Sequence, residues 1–124
     1  MSYADLPHLR SNAYSESTAA SPSVAAAAGA GASPTITATG FDERGQVSVK
    51  VGATGEAAGS LVTVTFAKAY DVAPDAVVVS GNDSASAALN PYASASKTAL
   101  TIGVAGTPSA SATYVFNYVV VGGV

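Results

Sequence analysis

The chain carries few side chains able to do chemistry. His8 is its only imidazole, and Cys and Trp are absent. One His and no Cys leave no ligand set for zinc or copper and no thiolate nucleophile. A general base must be held within hydrogen-bond reach of its proton. His8 lies in an Ala- and Ser-rich segment with no expected anchor, so it reads as a contact residue and not as a base. Outside that segment the acids are Asp42, Glu43, Glu56, Asp71, Asp75 and Asp83. Glycoside hydrolysis needs two fixed carboxylates, but all six fall in or beside expected turns, where acids are ordinarily solvated. The Gly-rich stretch 52–60 has neither the Lys nor the following helix of a phosphate loop and reads as a long hairpin loop. Two turns offer sugar-binding chemistry instead. Asn82 and Asp83 present polar groups in the 81–86 loop, which also contains a formal glycosylation sequon at 82–84, and the Asn90-Pro91-Tyr92 turn presents an aromatic ring for stacking. A plain turn is the commoner explanation of each. The expectation is a protein with no enzymatic activity, no metal and no cofactor.

Composition narrows the class further. At 124 residues the chain fits one domain. Its net charge is −3 and only 10% of residues are charged, against about 25% in ordinary soluble domains. Five dispersed cations cannot form the basic stripe of a nucleic-acid binder. Nearly half of the 48% apolar content is alanine, 27 residues of it. No run of about 18 large apolar residues is present to span a membrane. The start, with Asp5 and a single Arg, lacks a secretion signal's basic region, and the short Ala run at 25–28 lacks its apolar stretch. Absence of Cys is compatible with either redox compartment.

The chain divides near residue 34. Ala and Ser fill 17 of the first 34 positions, too little apolar surface to offset the entropy of ordering them. Yet Tyr3, Leu6, Leu9 and Tyr14 cluster at the far end. The segment 1–34 therefore reads as an extended arm, with an anchoring tip at 1–15 and an Ala/Ser/Gly/Pro tether at 16–34. A disordered tail and a short helix at 24–28 are the other readings. From residue 35 the pattern is β. Alternation marks 46–51 (QVSVKV), 61–66 (LVTVTF) and 99–104 (ALTIGV). The segment 76–80 (AVVVS) is continuously apolar, as in a strand covered on both faces. The segment 113–121 (TYVFNYVVV) is the strongest strand, and 35–39, 87–89 and 92–96 are weaker ones. Turn signals separate them at 42–45, 52–59, 73–75, 81–83, 90–91 and 106–108. Short strands at this spacing predict an all-β antiparallel sandwich, jelly-roll-like, with seven or eight strands over 35–124.

The expected core is thin in large side chains. Burial against other copies of the chain is the simplest remedy. The last strand fits that reading, because Tyr114, Phe116 and Tyr118 face one side and Val115, Val119 and Val121 the other, so both faces read as buried.

The order of turns and strands from Gly45 to Val49, from Ala58 to Phe66, from Ala69 to Val79, from Ala87 to Tyr92 and from Thr113 to Gly122 resembles the small β-sandwich modules of virion surface proteins in tailed bacteriophages of actinobacteria. Those modules occur in capsid decoration proteins, head fibres and the ends of minor tail proteins, and are usually trimeric. Here Gly106-Thr107-Pro108-Ser109 replaces the bulky residue and Gly that such modules carry before the last hairpin. The Ala/Val/Thr/Gly-rich composition fits a high-GC host genome. The resemblance implies a homotrimer, and the last strand, read as apolar on both faces, supplies Tyr114, Phe116 and Tyr118 as its expected interface. It also implies a capsid-surface location after synthesis in the host cytoplasm, and a shell of major capsid protein gripped by Tyr3, Leu6, Pro7, His8, Leu9, Arg10 and Tyr14 of the arm. A fibre tip is expected to close a longer chain, which favours decoration. The alternative is a minor tail or head-fibre module that binds host cell-surface glycans through Asn82, Asp83, Asn90 and Tyr92. A second resemblance, to H-type lectin sandwiches, supports that alternative through Phe66, Tyr70, Pro74 and Val77 to Val79, although the lectin's final-strand Trp is absent.

Overall fold

A computed structural model describes residues 21–122. Within it the chain forms β1 (Ser23–Ala26), β2 (Thr35–Gly40), β3 (Arg44–Lys50), β4 (Gly59–Thr65), β5 (Ala76–Gly81), helix α1 (Ser84–Ala88), β6 (Pro91–Ala95), β7 (Ala99–Val104) and β8 (Thr113–Val121). The strands build two four-stranded sheets, ordered β1-β4-β7-β6 and β2-β3-β8-β5, and every pairing is antiparallel. The all-β sandwich expected from the alternation is the fold. Five connections cross between sheets, and two, β2–β3 and β6–β7, are local hairpins. This strand order refines the jelly-roll-like expectation.

Period-two alternation explains which side chains meet inside. Val47 and Val49 of β3, Val62 and Val64 of β4, Leu100, Ile102 and Val104 of β7, and Tyr114, Phe116 and Tyr118 of β8 form one buried cluster. The bulge between Ser60 and Val62 lets Leu61 turn inward beside Val62, and both are fully buried. Pro91 opens β6, an edge strand, where its missing N–H costs no ladder bond.

Four expectations are corrected. First, the tether is part of the sandwich over its described portion, since β1 pairs with β4 from Ser23↔Thr65 to Ala26↔Val62. Beyond β1, Gly29 N–H donates to Ser60 O at 2.8 Å, Gly52 N–H to Ala30 O at 2.8 Å and Ala32 N–H to Thr54 O at 2.9 Å. Ala30 is completely buried. Gly31 sits at φ +78°, and a Cβ there would lie 2.6 Å from Thr54 O. Small residues thus serve as close backbone contacts, where their composition suggested slack. Second, the 52–59 stretch is not a hairpin loop but the crossover from β3 to β4 between the sheets. Third, residues 87–89 are not a strand: α1 ends at Ala88.

Fourth, the apolar runs of β5 and β8 are covered on one face only. Val78 is 57% exposed, Val119 48% and Val121 45%. Tyr114, Phe116 and Tyr118, expected at a subunit interface, lie inside a single chain at 5%, 0% and 1% exposure. The inner face of β8 belongs to the core, so a neighbouring copy can meet only its outer face. The expected anchoring tip, with Tyr3, Leu6, Pro7, His8, Leu9, Arg10 and Tyr14, lies outside the described residues.

Phe116→Ala is expected to destabilise the protein by about 3–5 kcal/mol, because it opens a cavity between the sheets. Val72→Ala, at an exposed loop position, should change stability by less than about 0.5 kcal/mol. Urea denaturation followed by circular dichroism measures both.

Candidate functional site

The polar side chains most firmly held in the sandwich are holding loops. Asp42 is in the β2–β3 turn, and its carboxylate accepts the N–H groups of Ala67 at 2.8 Å and Lys68 at 3.0 Å. The acid is buried, not solvated as its turn position suggested. It ties a hairpin of one sheet to the segment leaving β4 in the other. Beside it, the Tyr118 hydroxyl donates to Phe41 O at 2.6 Å. Burial, followed by the nearby charge of Asp42 and by Tyr70, pushes the Tyr118 phenol up to about 12. The Phe66 and Tyr70 rings meet edge to face at 4.9 Å, closing the same region. This cluster is built like a latch: its donors and acceptors face one another across the loop junction.

A second polar point is Ser86, fully buried on α1. Its Oγ accepts Val115 N–H at 2.9 Å, while Asn82 N–H donates to Val115 O at 2.8 Å. Together they complete the ladder of β8 where β5 ends. Asp83 starts the helix as its N-cap, accepting Ser86 N–H at 2.8 Å. That bond holds the Asp83 carboxyl below its ordinary value. Asn90 follows the helix at φ +53°, a left-handed turn position that Asn tolerates better than most residues.

The four residues expected to touch a glycan are therefore divided. Asp83 and Asn90 shape the ends of α1. Asn82 joins Gln46 and Asn117 on the outer face of β3 and β8, where Gln46 Nε2 donates to Asn117 Oδ1 at 3.0 Å and to Asn82 Oδ1 at 3.4 Å. Asn117 Nδ2 reaches the same Asn82 oxygen at 3.4 Å. Tyr92 lies on the outer face of the other sheet, opposite Gly103. A Cβ on Gly103 would lie 2.7 Å from the Tyr92 ring, so the ring covers bare backbone and remains 50% exposed. Asn82 and Tyr92 thus face opposite sides of the sandwich, and the four do not form one binding surface.

The remaining acids do not converge. Among the described residues no group of three His, Cys, Asp or Glu side chains is placed to hold a metal ion, and no helix is long and apolar enough to cross a membrane. Sequence reading missed Asp42, Ser86 and the Gln46–Asn117 pair. The helix had a local signal, since Asp83 precedes a run of Ser and Ala as an N-cap should. The other contacts join residues 25 to 71 positions apart and leave no mark in local pattern. Comparison of the chain with protein-family models, with curated proteins and with solved structures returned no match.

Two outcomes test this account. Ser86→Ala leaves a buried N–H of β8 without its acceptor and should cost about 1–3 kcal/mol, read by thermal or urea unfolding. Because the Tyr118 phenol titrates above its unfolded value, its stabilising contribution is complete below pH 10 and is lost as pH rises through about 12. Stability should fall over that window, and in Tyr118→Phe the alkaline loss should be smaller.

Proposed function

We propose that the protein is a structural component of a bacteriophage virion: a capsid decoration protein that binds a shell of major capsid protein as a homotrimer, through its N-terminal arm. The observation that carries this reading is where the arm joins the fold. The first described element, β1, is an edge strand of its sheet, so the arm is joined to the sandwich at a rim strand. Upstream of that point lie Tyr3, Leu6, Leu9 and Tyr14, the large apolar side chains farthest along the chain from the sandwich apart from Met1. The sequence resemblance to phage surface modules supports the same conclusion.

The chemistry of the arm suits a preformed surface. Pro7 favours an extended conformation at Leu6, and His8 and Arg10 supply donors for carboxylates or backbone carbonyls. Burying the four large side chains contributes about 6–10 kcal/mol per arm before ordering costs. A segment that orders on binding covers much area per residue. Three arms on one trimer raise the effective concentration of each, so that weak single contacts add up to retention. The sandwich supplies a stable body whose strongest polar contacts are internal.

Removal of residues 1–15 should leave the circular dichroism spectrum and the oligomeric state unchanged while binding to undecorated capsids is lost. Co-sedimentation with purified particles measures the binding. Full occupancy by the truncated protein would show that the sandwich is the anchor and overturn the reading.

A further inference from the structure

We propose that the outer face of β8 and β5 is the surface on which copies of this chain meet, with Val78, Val119 and Val121 at its centre and Arg44 of one copy facing Asp75 of the next. The inference deepens the proposed function by naming the self-association surface; it rests on that reading for the trimer and is independent of the capsid.

Among the described residues five large apolar side chains are exposed: Val72, Val78, Tyr92, Val119 and Val121. Single exposed apolar residues are ordinary, but three of these five are contiguous. Val78 is directly opposite Val119, and Val121 is opposite Ala76. Alternation places all four on the outer face of the same sheet, where β8 is flanked by β3 and β5. β8 is paired on both sides, and although β5 is an edge strand of the sheet, the exposed valines stand on the outer face and not along the free edge. This is the geometry of face-to-face packing rather than of strand addition.

The flanks indicate what covers the patch. Arg44 is opposite Val119 on the β3 side and is exposed. Asp75 leads into β5 on the other side, its N–H donating to Val121 O at 2.9 Å, and its carboxylate lies where a Cβ on Gly122 would meet it at 2.5 Å. The apolar centre therefore has a cation on one side and an anion on the other. A partner surface of one sign would satisfy one flank and oppose the other. Copies of this chain satisfy both, because in a closed ring each brings its Arg44 to one neighbour and its Asp75 to the other. The next register row adds a matching feature. Among the described residues Gln46 Oε1 accepts no hydrogen bond and Asn82 Nδ2 donates none. An acceptor and a donor thus stand side by side on the face, and a copy presents their complements.

The test uses the full chain, with sedimentation velocity for mass and circular dichroism for folding. Wild type should associate. Val119→Asp, at an exposed position, should remain folded and run as a monomer. Arg44→Asp and Asp75→Arg should each weaken association about tenfold or more, and the double exchange should restore it, since the pair is regenerated with its charges swapped. The proposal is overturned if wild type is monomeric at about 100 µM, if Val119→Asp associates like wild type, or if the double exchange stays as weak as the singles. Loss of association on removing residues 1–15, with Val119→Asp unaffected, would instead assign the contact to the arm. Association through this face without binding to capsids would leave the proposal standing and remove the decoration role.

Discussion

The alternation of β8 is the constraint on which the rest of the sandwich depends. A strand sends successive side chains to opposite faces, and here one set is Tyr114, Phe116 and Tyr118 while the other is Val115, Asn117, Val119 and Val121. The aromatic set fills the space between the sheets. In a chain whose apolar content is nearly half alanine, these three side chains supply much of the volume that keeps two sheets apart and packed. Because β8 lies between β3 and β5, a slip of one residue would send every aromatic ring to solvent and bring valines inward.

Polar contacts reinforce this register at both ends of the strand. Tyr118 reaches Phe41 O beside the buried Asp42, and Val115 N–H is capped by Ser86 where β5 has ended. At Val51, beyond the paired end of β3, the N–H donates to Ala112 O just before β8 begins. These contacts tie a turn, a helix and the segment entering β8 into place around that strand, so the sandwich is held at its corners as well as through its core. A body fixed in this way suits a particle-surface protein, the role proposed above. Its long-range polar bonds belong to architecture.

Two readings that were reasonable from sequence pattern failed for the same reason. A run such as Ala-Val-Val-Val-Ser suggests burial on both faces, and an Ala/Ser/Gly segment suggests a tether. Val78 is instead exposed on an edge strand, and Ala30 is completely buried beneath the 52–57 crossover. Side-chain size decides how much a residue gains from burial, but neighbours decide whether it is covered. Small residues are favoured where backbones approach closely, as at Gly31 and Gly103, and that requirement has no signature in composition.

By itself the sequence determined the all-β class, the position of most strands and which residues share a face of each, because alternation is a local property that follows from the pleat. Its one His and absent Cys supply no thiolate and no His/Cys ligand set for zinc or copper. Only the tertiary structure decided the strand order, the inclusion of β1 in the sheet, and the division of Asn82 and Tyr92 between opposite faces. It alone turned Asp42 from a turn acid into a buried tie, and the doubly apolar β8 into a strand with a core face and an open face. These depend on pairings between segments far apart in the chain, such as Gln46 with Asn117 and Asp42 with Ala67. Local pattern records which residues share a face of a strand; it does not record what that face will meet.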